Sequence, residues 1–247
     1  MGINDFSPQP GLLDGKIVLV TGAGDGIGKT AAKTFAEYGA TVILLGRTLA
    51  KLEQVYDEIT GANHPEPVIQ PLDFEKAGKE DYQQMAEAIE ENFGKLDALL
   101  HNAALLGPRT PIANYPEEKW EQVMKVNINA EFMLTRALLP VLEKAENASI
   151  VFTTSSVGRK GKAFWGAYAV SKFAVEGLCQ VLADELDGTS NVRANCINPG
   201  ATRTRMRATA YPAEDPATVK PAESFMDYYL YLISDASVSE NGKSFDV

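Results

Sequence analysis

Short apolar runs and amphipathic segments alternate about seven times along the 247 residues of the chain. The runs are rich in Val, Ile and Leu and end at glycine or polar residues, as buried parallel strands do. The segments between them repeat apolar residues at spacings of three and four, which predicts helices. No shift in composition marks a domain boundary. The pattern therefore predicts one doubly wound, seven-stranded parallel sheet with helices on both faces, as a single domain over residues 1–247.

The predicted elements follow the chain in order, after an extended lead-in over residues 1–15. A proline, Pro140, lies inside one predicted helix and predicts a kink or an end of that helix. Residues 203–220 are rich in arginine and proline and predict a mobile segment with one short helix. The predicted strands are 16–21, 41–45, 68–72, 96–100, 149–154, 192–197 and 243–247, and the longer predicted helices include 117–143, 167–186 and 225–233.

Glycines 22, 26 and 28 lie between the first predicted strand and the first predicted helix. Glycine lets the backbone turn tightly and approach a pyrophosphate, and the helix N-terminus offers free N–H groups to that anion. The same glycines could also form a tight turn that binds nothing. The order of strand, glycines and helix favours the first interpretation and predicts a nucleotide site.

Tyr168 and Lys172 lie four residues apart in a predicted helix, so they share one helix face. An isolated phenol is a poor acid near neutral pH, but a cation one turn away stabilises its phenolate. Ser155 follows the apolar run at 150–152 and adds a hydroxyl at a strand end. A hydroxyl that binds a carbonyl oxygen and a phenol that delivers a proton suit carbonyl reduction. A Tyr and a Lys at this spacing also occur on ordinary helix surfaces.

The run from Thr21 to Gly28 has the spacing T-G-x-x-x-G-x-G, and Ser155 precedes Tyr168 by 13 residues. With Lys172, these motifs resemble the short-chain dehydrogenase/reductase family, in its short single-domain branch with a Rossmann fold. The resemblance extends over nearly the whole chain. It includes N-A-A at 102–104, K-V-N-I-N at 125–129, P-G-x-x-x-T at 199–204 and G-K-S-F-D at 242–246.

The resemblance implies an NAD(P)-dependent oxidoreductase that transfers a hydride between a nicotinamide and a small-molecule carbonyl or alcohol. It implies that Ser155 binds the substrate oxygen and that Tyr168 gives or accepts the proton. Lys172 would stabilise the phenolate and hold the nicotinamide ribose, and Asn127 would position a water. The family also contains epimerases, dehydratases and acyl-carrier-protein reductases, so the sequence does not choose the substrate.

The resemblance also implies a set of cofactor-binding residues along the carboxyl ends of the strands. Asp73 would lie near the adenine, and the P-G-x-x-x-T segment would meet the nicotinamide carboxamide. Ala104 stands where the family has glycine, a departure that could narrow the cavity. The full set is Gly22, Asp25, Gly26, Ile27, Arg47, Asp73, Asn102, Ala103, Tyr168, Lys172, Pro199, Gly200, Thr202 and Thr204.

The second predicted strand ends in L-L-G-R, so no carboxylate stands at Gly46 to accept a bond from a ribose 2′-hydroxyl. Arg47 follows, and its guanidinium suits a 2′-phosphate, which predicts NADP(H) rather than NAD(H). Arg47 could instead stack on the adenine, which would favour neither cofactor. Asp25 and the net charge of −10 both oppose a phosphate.

The acidic balance predicts no nucleic-acid partner. No apolar run is long enough to span a bilayer and the first 15 residues lack a signal-peptide pattern, so we expect no membrane partner and a cytoplasmic location. Cys179 and Cys196 form no C-x-x-C pair and predict buried apolar side chains. His64 and His101 lack metal-like partners, so no metal site is predicted.

The predicted helix at 117–143 and the helix that carries Tyr168 are apolar beyond a single stripe. A helix of that kind must be buried on two sides, which predicts a homodimer or homotetramer unless loops cover the second side. The arginines at 203, 205 and 207 suggest an anionic substrate, although exposed arginines usually have no ligand. A nucleotide-binding sensor or scaffold without turnover remains the alternative function, against which the intact set Asn127, Ser155, Tyr168 and Lys172 argues.

Overall fold

Seven parallel strands form one sheet in the order β3-β2-β1-β4-β5-β6-β7. The computed structural model describes residues 2–247; Met1, where the predicted lead-in and domain begin, lies outside the described residues. The predicted doubly wound fold is confirmed. The strands are β1 Ile17–Thr21, β2 Thr41–Gly46, β3 Val68–Pro71, β4 Ala98–His101, β5 Ala148–Thr153, β6 Val192–Asn198 and β7 Ser244–Asp246.

Helices connect the strands and cover both faces of the sheet. They are α1 Gly26–Glu37, α2 Leu49–Gly61, α3 Lys79–Phe93, α4 Glu117–Met124, α5 Ala130–Leu142, α6 Gly166–Leu186, α7 Arg205–Ala210 and α8 Met226–Ile233. One core packs α3, α5 and α6 on one face, around residues such as Leu19, Leu99 and Ile150. The other core packs α1, α2 and α8, around residues such as Val18 and Val20. Successive side chains of β1 thus enter opposite cores, because a strand alternates its faces.

The strand order reverses between β1 and β4. The chain winds outward from β1 through β2 to β3, and then returns to the other side of β1 to form β4. Val18 pairs with Val42 of β2 and with Ala98 of β4, so the three strands end at nearly the same level. In such a sheet the loops diverge beyond the carboxyl ends of the strands and leave a crevice there.

The predicted helix at 117–143 is divided, but the division is not at Pro140. Residues Lys125–Asn129 form a π-helical turn between α4 and α5, while α5 continues through Pro140 to Leu142. The side chain of Asn127 is fully buried in that turn and bonds to neighbouring segments. Those bonds account for the π-helical turn, because a side chain held by contacts outside the helix can disrupt the regular hydrogen bonds of an α-helix.

The segment predicted at 203–220 contains α7 and a short 3₁₀ turn at Pro216–Thr218. Its two ends are joined. Thr202 and Lys220 form an isolated parallel bridge, and Arg203 N donates a 2.9 Å hydrogen bond to Lys220 O. The segment is therefore a flap with a closed base beside the carboxyl ends of the strands.

Candidate active site

A cleft of about 490 Å³ crosses the carboxyl edge of the sheet, from the start of α2 to the flap. Every residue that the sequence predicts as catalytic or cofactor-binding lines this cleft, except Asn127. Arg47, Lys51 and Asp73 lie along one part of its wall, and Trp165, Tyr168 and Met206 along another. An elongated cleft at the strand-order switch suits an extended ligand such as a dinucleotide.

The glycine turn provides the test of that fit. Gly22 and Gly26 have positive φ angles of 68° and 52°, which glycine adopts readily. A Cβ atom on Gly28 would lie 2.4 Å from the Gly22 carbonyl oxygen, so the helix start can approach the strand end only without a side chain. The N-terminus of α1 begins at Gly26, a residue of the cleft wall. The turn thus fits a pyrophosphate on backbone N–H groups.

The loop after β4 is fastened across the strand-order switch. Thr21 Oγ1, at the end of β1, accepts hydrogen bonds from Asn102 N at 2.9 Å and from Ala103 N at 3.0 Å. Asn102 Nδ2 also donates to Thr21 O at 3.3 Å. These bonds fix the position of the loop, whose residues Asn102 and Ala103 form part of the cleft wall.

Tyr168 and Lys172 lie on α6, and Lys172 is almost completely buried. Lys172 Nζ donates a 2.7 Å hydrogen bond to the backbone oxygen of Thr153, at the end of β5. Ser155 lies two residues beyond Thr153 and caps a short 3₁₀ turn, where its Oγ accepts from Val157 N at 3.4 Å. The structure therefore brings the three predicted side chains to one wall of the cleft.

Asn127 lies behind that wall instead of lining it. Its Nδ2 donates to Leu105 O at 2.9 Å and to Ser171 Oγ at 3.1 Å, and its Oδ1 accepts from Leu105 N at 2.7 Å. Both amide hydrogens are therefore used within the protein. The side chain ties the loop after β4 to α6, three residues after Tyr168.

Glu131 is a buried residue near the site that the sequence analysis missed. Its carboxylate Oε1 lies 3.8 Å from Lys172 Nζ, and both side chains are only 2% exposed. Neither carboxylate oxygen has a hydrogen-bond partner within residues 2–247. Burial raises the pKa of Glu131 to about 7, and the charge of Lys172 partly opposes that rise. The available signal was an acidic residue inside the apolar run A-E-F-M-L.

His101 is buried near Lys172 and contacts two uncharged side chains. Its Nε2 lies 2.8 Å from Thr135 Oγ1, and its ring stacks on Phe152 with centroids 4.8 Å apart. Burial, with a smaller contribution from Lys172, lowers the pKa of His101 to about 3. The imidazole is therefore neutral at physiological pH.

Three ion pairs lie in the part of the cleft near α2. Arg47 NH1 lies 3.0 Å from Glu75 Oε1. Asp25 Oδ2 lies 2.5 Å from Lys51 Nζ and 3.8 Å from Arg205 Nε. The hydrogen bond from Lys51 holds the pKa of Asp25 below its usual range. Lys51, which the sequence analysis did not single out, thus offsets the acidic charge beside the glycine turn.

The flap closes the other part of the cleft with aromatic and cationic side chains. Arg207 forms hydrogen bonds of 2.5–2.6 Å with both carboxylate oxygens of Glu214. The guanidinium of Arg109 lies 4.8 Å from the ring centroid of Trp165 and 4.9 Å from that of Tyr211. Arg207 therefore faces Glu214, and the exposed Arg205 lies near Asp25, while the anionic substrate suggested by the arginines at 203, 205 and 207 stays a prediction.

Cys179 and Cys196 are free and buried, as predicted. Across the described residues 2–247, no group of three or more His, Cys, Asp or Glu side chains could hold a metal ion. Over the same part of the chain, no helix has the length and apolar character that crossing a bilayer demands.

Comparisons with known proteins agree with this geometry. The model of the family described as short chain dehydrogenase matches residues 16–215. The Uncharacterized oxidoreductase YciK of Escherichia coli K12 is 52% identical over 241 residues, which are 98% of this chain and 95% of that protein. The 3-oxoacyl-[acyl-carrier-protein] reductase FabG of Thermotoga maritima is 30% identical over 94% of this chain and 95% of its own length.

Solved structures give the same result. A short chain dehydrogenase structure from Pseudomonas syringae is 56% identical, with a TM-score of 0.97 and 99% of each chain covered. A structure from Escherichia coli CFT073 complexed with NADPH is 52% identical, with a TM-score of 0.94, and covers 97% of this chain and 99% of its own. A structure from Shigella flexneri complexed with NADP is 51% identical, with a TM-score of 0.94, over 96% of this chain and 99% of its own.

Proposed function

The chain belongs to the short-chain dehydrogenase family and is an NAD(P)-dependent oxidoreductase. On that premise we propose that it interconverts a small-molecule carbonyl and alcohol. Its cofactor is NADP(H), and Tyr168 is its acid–base group. The observation that carries the proposal is the presence of Ser155, Tyr168 and Lys172 in the same cleft as the glycine turn. A sensor without turnover has no need for a phenol and a buried ammonium beside the nucleotide site.

The proposed cofactor site follows the cleft from α2 to α6. The N-terminus of α1 would hold the pyrophosphate, Asp73 would lie near the adenine, and Tyr168 and Lys172 would bind the nicotinamide ribose. Four residues at and beside the start of the flap line the same cleft and would meet the nicotinamide: Pro199, Gly200, Thr202 and Thr204. When bound, the cofactor supplies or accepts the hydride.

The side chains of the chain would handle the oxygen and the proton of the substrate. Among the residues that the structure describes, Ser155 Oγ accepts only one long bond, from Val157 N, so its hydroxyl is available to donate to a substrate oxygen. Tyr168 would give its proton to that oxygen in reduction and take it back in oxidation. The hydrogen bond to Thr153 O holds the Lys172 ammonium on the side of α6 that also carries Tyr168. The positive charge of Lys172 would stabilise a phenolate there.

The preference for NADP(H) is supported by the charges at the α2 part of the cleft. No carboxylate stands at Gly46, and Arg47 is the first side chain after β2. Lys51 pairs with Asp25, which weakens the repulsion that Asp25 would exert on a 2′-phosphate. The NADP and NADPH complexes of the two similar solved structures support the same choice.

We also propose that the chain assembles as a homodimer or homotetramer through α5 and α6. Phe132 on α5 is 46% exposed, and Phe173 and Val181 on α6 are 45% and 57% exposed. Large apolar side chains on the outer face of helices are typical of surfaces that a partner covers.

Isotope transfer tests the proposed reaction directly. NADPH that carries deuterium at the nicotinamide C4 is incubated with the protein and panels of ketones and aldehydes, and the products are analysed by mass spectrometry. The proposal expects an alcohol that contains one deuterium on the former carbonyl carbon. Tight binding of NADPH with no deuterated product from any panel would instead favour the sensor.

A further inference from the structure

The pair formed by Glu131 and Lys172 is an unusual structural feature. A buried carboxylate normally accepts several hydrogen bonds, because desolvation makes an unpaired charge costly. The Glu131 carboxylate has none within the described part of the chain, and Lys172 at 3.8 Å is beyond hydrogen-bond distance. A purely structural ion pair would gain from closer contact.

We propose that Glu131 is a positioning residue that acts through Lys172 and sets the charge that Tyr168 experiences, an inference that rests on the proposed role of Tyr168. With Glu131 protonated, Lys172 is an unopposed buried cation beside the phenol. With Glu131 ionised, the carboxylate offsets most of that charge, because the two groups interact in a region without solvent. One proton on α5 thus sets the charge beside the proposed acid–base group on α6.

Three other titratable groups lie around the pair, and two of them, His101 and Cys196, are neutral at physiological pH. His101 of β4 is neutral, because burial and Lys172 lower the pKa of His101 to about 3. On β6, a hydrogen bond with Cys179 of α6 and burial raise the pKa of Cys196, so it is a neutral thiol. Glu176, one turn beyond Lys172 on α6, lies 3.1 Å from Arg159 and accepts from Ser244 Oγ.

Glu131 differs from these groups, since burial raises the pKa of Glu131 to about 7. Both its protonated and its ionised form are therefore accessible near neutral pH. The sign of its effect follows from the charges. Loss of that proton places a negative charge beside Lys172 and so weakens the stabilisation that Lys172 would give a phenolate at Tyr168.

The first test is the pH profile of kcat/KM for alcohol oxidation, which requires the phenolate. Glu131→Gln, and Glu131→Met as a second variant of similar volume, should move the midpoint of the acidic limb by about one pH unit toward lower pH. Glu131→Asp should keep a midpoint near that of the wild type. Thr135→Val, a buried change one turn along α5, should leave the midpoint in place. An unchanged midpoint in both Glu131→Gln and Glu131→Met would overturn the proposal.

The second test uses urea unfolding without cofactor or substrate. A folded-state pKa above the unfolded value of about 4.3 means that the folded state binds the extra proton, so stability falls as pH rises from about 4 to 7. Glu131→Gln lacks that proton site, so its urea midpoint relative to the wild type should increase over the same range. A difference that does not vary with pH would show that Glu131 holds no such proton and would refute the inference. Absence of turnover in the wild type would instead refute the proposed function, so the two failures are distinguishable.

Discussion

The guanidinium of Arg47 lies 3.0 Å from the carboxylate of Glu75, in the part of the cleft proposed for the adenosine. The Arg47 side chain is 57% exposed, so water screens the pair and the interaction contributes only about 0–1 kcal/mol. A dianionic 2′-phosphate would replace Glu75 as the partner of Arg47 at little cost. The pair would hold the proposed phosphate-binding side chain in the cleft before the cofactor arrives.

Arg47→Ala should weaken NADP⁺ binding about tenfold or more and change NAD⁺ binding by less than about threefold, because only NADP⁺ carries the 2′-phosphate. Calorimetric dissociation constants for both cofactors check this. Arg136→Ala, an exposed change on α5, is the matched control and should alter neither constant. Tighter binding of NAD⁺ than of NADP⁺ by the wild type would contradict the proposed preference.

Glu75→Gln should have the opposite effect on the same measurement. The change frees Arg47 and removes a negative charge next to the proposed phosphate, so NADP⁺ should bind more tightly while NAD⁺ changes little. The gain should shrink at high salt, since the charges are exposed. If the affinity for NADP⁺ falls in Glu75→Gln, Arg47 does not read the 2′-phosphate from this position.

Tyr168→Phe should lower kcat by about 100- to 10,000-fold, because it removes the proton donor and keeps the ring. Its NADPH dissociation constant, measured by fluorescence titration, should stay within about threefold of the wild-type value. Tyr211→Phe, which removes a hydroxyl elsewhere in the flap region, serves as the control and should retain turnover. Near wild-type turnover in Tyr168→Phe would remove Tyr168 from the proposed mechanism.

Asn127→Ala should destabilise the fold by about 1–3 kcal/mol, because the change leaves Leu105 N and O without their partners in a buried region. Urea unfolding measures this loss. Asn129→Ala alters the same π-helical turn at an exposed position and should cost less than about 0.5 kcal/mol. Equal losses in the two variants would show that the bonds to Leu105 do not stabilise the turn.

Phe173→Glu should dissociate the proposed oligomer, since it places a charge in the centre of an apolar contact. Light scattering at micromolar protein would then give a smaller mass than for the wild type. Val238→Glu, an equally exposed apolar residue outside α5 and α6, should leave the mass unchanged. A monomeric wild type under these conditions would refute the proposed assembly.

The sheet could be predicted because strands buried on both faces are continuous apolar runs, as in β1 and β2. The cleft residues could be predicted because the motifs follow strand ends, and parallel strands place those ends at one edge. Local patterns of this kind depend on neighbours in sequence, which are visible without a structure.

The features that escaped prediction depend on contacts between distant residues. The π-helical turn arises from bonds of Asn127 to Leu105 and Ser171, which no helical periodicity encodes. The pairing of Lys51 with Asp25 joins α2 to the glycine turn. Glu131 was missed because a carboxyl in an apolar helix is ordinarily assigned to the solvent face.

The bridge between Thr202 and Lys220 has a consequence for how such enzymes diversify. Because the two ends of the flap are bridged to each other, residues between them can be exchanged, lengthened or shortened without a change in strand register. Selection can therefore remodel this wall of the cleft as an independent module. A chimera that carries another relative's flap on this base should inherit a new substrate range together with the parent's folding behaviour.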